Sequence, residues 1–272
     1  MAYLELSIRK EPKAVVLRKQ TWKSYCLLGL GAEAIAQEAQ PGQFIMVRPN
    51  ENTYPLLRRP FSIHSIQNGS MEIFFQKVGP GTTILSQKEQ GDSVDILGPL
   101  GKGFCLENSL QENSVALIGG GRGIAPLYFL AQRLRRVHAL PRIFYGGRTL
   151  ADIPLKHKFE EASFEVLAST DDGTFGFKGL VTELFQVELQ RYSPARIYAC
   201  GPEAMMRKID RIAQERNIPA EFSLESMMGC GFGACWGCVR KIRSKTQEEW
   251  KKICEEGPVF SGPQIIWLEE ES

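Results

Sequence analysis

Four cysteines crowd the tail: Cys230, Cys235, Cys238 and Cys254. The first three follow a Cys-x4-Cys-x2-Cys spacing with the fourth further on, which suits a 2Fe–2S cluster, a one-electron carrier. A tight loop must turn three thiolates inward while its amides point at the cluster sulfurs. Gly229, Gly231, Gly233, Ala234 and Gly237 leave room for that, since small residues accept unusual dihedrals. Four thiolates could also hold structural zinc, although zinc sites more often show paired short spacings. The other three cysteines, Cys26, Cys105 and Cys200, stand alone.

Two more sites have residues suited to chemistry. Arg58-Arg59-Pro60-Phe61-Ser62-Ile63 sets an arginine beside a proline-stiffened strand with a hydroxyl soon after. Such a set can fix a diphosphate and the edge of a flavin ring. Gln76-Lys77-Val78-Gly79-Pro80-Gly81-Thr82-Thr83 offers glycine amides and hydroxyls to a pyrophosphate. The expected FAD contacts are Arg59, Pro60, Phe61, Ser62, Gln76, Lys77, Val78, Gly81 and Thr82. Taken alone, the first segment also reads as a strand with a solvated basic pair.

The second of these sites begins with Gly119-Gly120-Gly121-Arg122-Gly123-Ile124-Ala125-Pro126, between an expected strand and an expected helix. That is where a nucleotide pyrophosphate loop must lie. Cys200-Gly201-Pro202 follows a later strand, and in a parallel sheet both loops emerge at the carboxyl edge. Gly120, Gly121, Gly123, Cys200, Gly201 and Pro202 are therefore the expected NAD(H) contacts, though Cys200 also reads as a small buried thiol at a strand end. After the strand Arg142–Tyr145, Gly146-Gly147-Arg148-Thr149 has a single arginine and no basic cluster for a 2′-phosphate, so NAD(H) is expected. His64, His138 and His157 are scattered and read as surface or packing residues.

The elements that would position these groups change character along the chain. Ala14–Leu17, Tyr25–Leu28, Gln43–Arg48, Met71–Lys77 and Ser93–Leu97 are short apolar runs with Gly and Pro between them. They predict an antiparallel six-stranded FAD-binding barrel over residues 1–105, with one short helix at Ala32–Ala39. Glu107–Asn113 reads as a polar linker. Strands at Ser114–Ile118, Arg142–Tyr145, Glu165–Ser169 and Arg196–Ala199 alternate with helices at Ala125–Arg136, Leu180–Gln190 and Ala204–Arg216. That alternation predicts a Rossmann-like parallel-sheet nucleotide domain over 106–221. Residues 222–272 are Gly- and Cys-rich, unable to bury much core of their own, and form the cluster segment.

Composition narrows the possibilities. Thirty-three basic and thirty-one acidic residues leave a net charge of +2, with no basic block, so nucleic acid is not an expected partner. The N-terminus lacks an apolar signal region. No apolar run approaches the roughly 18 residues of a membrane span, so no membrane is expected and the cytoplasm is.

An Arg-Pro-x-Ser barrel, a Gly-Gly-Gly-x-Gly loop and a Cys-Gly-Pro turn, in that order, resemble the ferredoxin–NADP reductase superfamily. Leu97–Phe104, Thr170–Gly179 and Cys254–Phe260, with the cysteine-rich tail, are similar to the NAD-linked dihydroorotate dehydrogenase B electron transfer subunits. The resemblance implies an electron-transfer subunit with no catalytic residues for dihydroorotate. An FMN-containing catalytic subunit would oxidise dihydroorotate to orotate, and two copies of each would form a heterotetramer in pyrimidine biosynthesis. These 272 residues leave no room for an additional barrel of about 250 residues to do that chemistry. Related subunits of a sulfite reductase, a sulfhydrogenase or a ferredoxin:NADP oxidoreductase are the alternative, and a zinc-stabilised nucleotide module is a rival of another class. Arg122 departs from the pattern, standing where related loops carry an apolar residue.

Overall fold

The computed structural model describes residues 8–106, 113–244 and 247–268. Six strands close into an antiparallel barrel: β1 (Arg9–Trp22), β2 (Tyr25–Gly31), β3 (Phe44–Arg48), β4 (Arg59–Gln67), β5 (Ser70–Gln76) and β6 (Ser93–Leu100), in the order β1-β2-β5-β4-β3-β6. Helix α1 (Glu33–Glu38) lies between β2 and β3, and α2 (Pro80–Ser86) between β5 and β6. Closure removes the exposed edges that short strands would otherwise present. The barrel is filled by residues such as Ile45, Ile63, Ile73 and Ile96, all fully buried.

Helix α2 is not among the elements expected from sequence. Gly79-Pro80-Gly81 looks like a turn, yet proline is well suited to the first helical position and starts the helix here. The expected linker at 107–113 lies, apart from Asn113, outside the described residues.

The second unit is built on β7 (Ser114–Gly120), α3 (Ala125–Arg136), β8 (Leu140–Gly147), α4 (Lys156–Glu161), β9 (Glu165–Thr170), β10 (Phe177–Lys178), α5 (Val181–Glu188), β11 (Arg196–Cys200), α6 (Glu203–Glu215) and β12 (Ala220–Ser223). The sheet runs β10-β9-β8-β7-β11-β12, all parallel. The tail then contributes a hairpin, β13 (Val239–Arg243) with β14 (Glu248–Lys252), a single turn α7 (Ile253–Glu256), and β15 (Val259–Ser261). Strand β15 pairs antiparallel with β12, so the tail completes the nucleotide sheet at its edge. The 221/222 boundary falls inside β12, because the tail's apolar residues Cys238, Ile242, Ile253 and Phe260 share one core with Phe222 and with Phe44 of the barrel.

Barrel and nucleotide domain are fixed to each other by apolar and polar contacts. Phe129 of α3 is buried in the barrel core. His64 of β4 is fully buried, stacks on Tyr128 at 4.9 Å and donates from Nδ1 to the Ala125 carbonyl at 2.8 Å. Buried Glu72 of β5 is paired with Lys158 of α4 at 2.5 Å and with Arg18 of β1 at 2.8 Å, and it accepts from the Ser65 hydroxyl. His138 and His157 are exposed, so the packing role falls to His64 alone.

Candidate functional site

Two clefts open along the seam between the units. The larger, about 970 Å³, is lined by Gly120, Gly121, Arg122, Gly123, Gly201 and Pro202, together with Arg148, Asp171 and Lys208. The smaller, about 270 Å³, is lined by Arg59, Pro60, Phe61, Ser62, Gln76, Val78, Thr82 and Cys200, and closed by Phe44, Leu224 and Met228. Gln76, Arg122, Gly123 and Glu225 line both, so the two clefts join there. Lys77 and Gly81 are on neither wall; Gly81 instead packs under Arg59, where an added Cβ would lie 3.2 Å from Nε.

The glycine loop follows β7 because only small residues fit its packing. At Gly123 a Cβ would come within 2.4 Å of the Cys200 carbonyl and 2.5 Å of Gly201 Cα. The two loops read from sequence as partners therefore lie backbone against backbone. They stand at the carboxyl edge of parallel neighbours β7 and β11, the place where such sheets bind nucleotides. Cys200 is buried, and burial pushes its thiol far above the ordinary range. It serves as a small wall residue and not as a nucleophile.

In the smaller cleft, Arg59 Nη1 is braced by the Leu57 carbonyl at 2.7 Å, while Arg58 turns away to Asp95 at 2.5 Å. Of the basic pair, only Arg59 faces the cleft. Among the described residues the Ser62 hydroxyl and the Gln76 amide have no intramolecular hydrogen bond, leaving both for a ligand. Thr82 differs from expectation: its hydroxyl accepts from the Val78 and Gly79 amides at 2.9 and 3.2 Å. That hydroxyl shapes the turn, so what residues 81–82 offer a phosphate is their backbone N–H groups in the first turn of α2. The aromatic walls and the braced guanidinium fit a flavin with its diphosphate.

Tyr25 was not singled out from sequence, where it looked like one apolar residue of a strand. Its hydroxyl donates to Asp152 Oδ1 at 3.1 Å across the seam, beside the glycine loop. Burial and Asp152 push the phenol up to about 12, so it stays a donor at neutral pH.

The four tail cysteines come together. Backbone amides point at their sulfurs: Gly233 at Cys254 (3.1 Å), Cys235 at Cys230, Gly237 at Cys235 and Cys254 at Cys238 (each 3.4 Å). Burial opposes ionisation of Cys230, but the amides of Phe232, Cys235 and Ala234 bring its thiol down to about 7. Burial, with Cys238 alongside, raises Cys254 to about 12. Among the described residues no three Cys, His, Asp or Glu side chains close around one metal ion. The thiols instead contact in two pairs, Cys230 with Cys235 and Cys238 with Cys254. Gly231, at φ +85°, seats the loop on the barrel, where its Cβ would strike Met46 of β3 at 2.3 Å.

Residues 225–266 match the family described as the iron–sulfur cluster binding domain of dihydroorotate dehydrogenase B, and residues 117–211 match the oxidoreductase NAD-binding domain. The "Dihydroorotate dehydrogenase B (NAD(+)), electron transfer subunit" of Desulforamulus reducens is 44% identical over 238 residues, 87% of this chain and 90% of that one. The protein of the same name from Geobacillus thermodenitrificans is 37% identical over 95% of this chain and 99% of its own length. Among solved structures, a chain of an NADH-dependent reduced ferredoxin–NADP oxidoreductase superposes with a TM-score of 0.83 at 29% identity, covering 94% of this chain and 91% of that one. A ferredoxin NADP+ reductase from Neisseria gonorrhoeae, with bound FAD and NADP, shares the fold at a TM-score of 0.62 and 18% identity, over 78% and 92% of the two chains. The chain belongs to the family of dihydroorotate dehydrogenase B electron transfer subunits and is thus a subunit of an oxidoreductase, with its NAD-binding and iron–sulfur cluster-binding domains in the order the sequence implied.

Proposed function

We propose that this chain carries electrons from an FMN-containing catalytic subunit, which oxidises dihydroorotate to orotate, to NAD+. The two subunits would assemble as a heterotetramer, two of each, in the cytoplasm; among the described residues no helix is long and apolar enough to cross a membrane. Cys230, Cys235, Cys238 and Cys254 ligate a 2Fe–2S cluster. Arg59, Pro60, Phe61 and Ser62, with Gln76, Lys77, Val78, Gly81 and Thr82, hold FAD. Gly120, Gly121, Gly123, Cys200, Gly201 and Pro202 receive NAD(H). Bound FAD supplies the exchange between one-electron steps at a cluster and the two-electron hydride step at nicotinamide.

The observation that carries the reading is the joining of the two clefts at Gln76 and Gly123, with the cluster loop resting on the same barrel at Met46. Gln76, with Gly123 packed on the Cys200 backbone, lines the seam where a flavin and a nicotinamide would meet, and buried Leu224 walls the flavin side. Met227, Phe232 and Trp236 are 90%, 46% and 58% exposed around the cysteines and form the docking face for the catalytic subunit. Met228 is only half-buried and lines the flavin cleft, so it belongs to the site and not to that face.

The isolated chain, loaded with both cofactors, should reduce dyes with NADH and show no dihydroorotate oxidation. Co-expressed with an FMN subunit it should form a complex that reduces NAD+ with dihydroorotate. Oxidation of dihydroorotate by the isolated chain would overturn the division of labour. A second reading, an NADH-linked ferredoxin:NADP oxidoreductase subunit, is favoured by the 0.83 superposition. It would show as coupling to ferredoxin in place of dihydroorotate.

A further inference from the structure

Arg122 stands where the two clefts join, and its guanidinium is held there by a single partner. Its Nη2 lies 2.9 Å from Oε2 of Glu225, which is 103 residues further along the chain. The side chains are 49% and 55% exposed, and both residues line both clefts. Among the described residues neither side chain has another hydrogen-bond or ion-pair partner. Arg240, also on the larger cleft, is different: it grips Glu203 with two nitrogens and the Ile266 carbonyl with one, and its side chain is only 12% exposed. Arg240 is committed to the fold, whereas Arg122 is lightly held.

We propose that Arg122 is a nucleotide-binding residue kept in reserve by Glu225, so that Glu225 lowers the affinity of the larger cleft for nicotinamide nucleotide. A half-exposed ion pair is weak and screened by salt. A diphosphate brings more charge and a geometry that a guanidinium fork matches with two bonds. Arg122 is on the glycine loop at the carboxyl edge of the sheet, where nucleotide phosphates settle. The nucleotide therefore takes Arg122 from Glu225 and frees that carboxylate two residues before Met227, at the start of the cluster loop.

The inference rests on the larger cleft being the NAD(H) site, and the test separates the two. NAD+ and ADP-ribose are titrated calorimetrically into the FAD- and cluster-loaded protein. Arg122→Gln should weaken both ligands by about tenfold or more, the loss of a charge-assisted contact. Glu225→Gln should tighten both, and the double variant should match Arg122→Gln alone. The affinity of the unaltered protein should fall with added salt more steeply than that of Arg122→Gln, a measurement that does not depend on the Glu225 variant folding. Flavin and cluster absorbance verify that each variant is loaded. If Arg122→Gln and Glu225→Gln shift affinity in the same direction, or neither shifts it, the pair is a structural tie and the proposal is overturned while the NAD site stands. If the unaltered protein binds neither ligand, the reading of the cleft itself fails and the proposal goes with it.

Discussion

Two glycine-rich loops line the proposed sites, and they are held in opposite ways. The nucleotide loop at 119–123 runs into Ile124, fully buried, and Gly123 packs against the Cys200 backbone. The cluster loop from Met227 to Gly237 has one buried residue, Gly231, and is otherwise held by amides aimed at sulfurs and by Lys252, which reaches the Gly233 carbonyl and the Trp236 ring. The first loop is preformed by the core on either side of it. The second lacks such a core and would take its shape from what its thiolates bind, as metal sites often do when binding and folding are coupled.

The largest effect should come from Cys235→Ala. Cys235 is exposed, so its loss leaves the packing alone and removes one expected ligand. Iron content and the paramagnetic signal of the reduced cluster should vanish, and protease should cut between Met227 and Gly237, while FAD stays bound. Cys105→Ala, also at an exposed thiol, should change none of these. Retention of a full cluster in Cys235→Ala would end the ligand assignment. Global unfolding with loss of FAD would erase the contrast between the loops.

A second test asks whether the seam behind the nucleotide loop is as firmly packed as its burial suggests. Burial, with Lys158 nearby, lowers His64 to about 4, against about 6.5 in an unfolded chain. Glu72 and Arg18 also face it. The unfolded chain therefore takes up the proton first, and stability falls as pH drops from about 6.5 towards 4. Above that window the contribution of His64 is fully present. The slope integrates to about 3 kcal/mol at most. His64→Phe should flatten denaturant-measured stability across this pH range, and an unchanged slope would mean that the ring is hydrated and the seam loose.

Much of this was legible in sequence because the signals were local. The helix Ala125–Arg136 falls where its apolar spacing put it, and the cysteine spacing alone pointed to the thiols that the fold gathers. Strand β7 runs past its expected end through Gly119 and Gly120, whose weak strand preference hides them, and β1 extends from the expected Ala14–Leu17 to Arg9–Trp22 through charged residues that broke the apolar run. The hairpin at 239–252 was missed because Lys241, Arg243, Glu248 and Glu249 mask any alternation. Long-range pairings were not legible at all. Nothing local links Arg122 to Glu225, Tyr25 to Asp152 or Gly231 to Met46, since each meets its partner only after the barrel, sheet and tail are assembled.

The smallest effect expected is that of Tyr25→Phe, which bears on how the preformed loop keeps its register. The Tyr25 ring is stacked on Phe74 at 5.4 Å, and that contact survives loss of the hydroxyl. Asp152 would lose one donor on Oδ1, yet Thr149 still supplies its amide and hydroxyl to Oδ2 at 3.2 and 3.4 Å. Asp152 is half-buried on the larger cleft, so water can take the vacated position. One hydrogen bond at this exposure is worth about 1 kcal/mol, roughly fivefold in NAD+ affinity, and the cluster signal should not move. If packing of Gly123 on Cys200 sets the loop, the stacked ring and the core behind it hold the two units in place without the hydroxyl. A loss beyond about tenfold, or a changed cluster signal, would mean that the seam is aligned through Tyr25 and Asp152, and that the nucleotide loop depends on one polar contact much as the cluster loop depends on its thiolates.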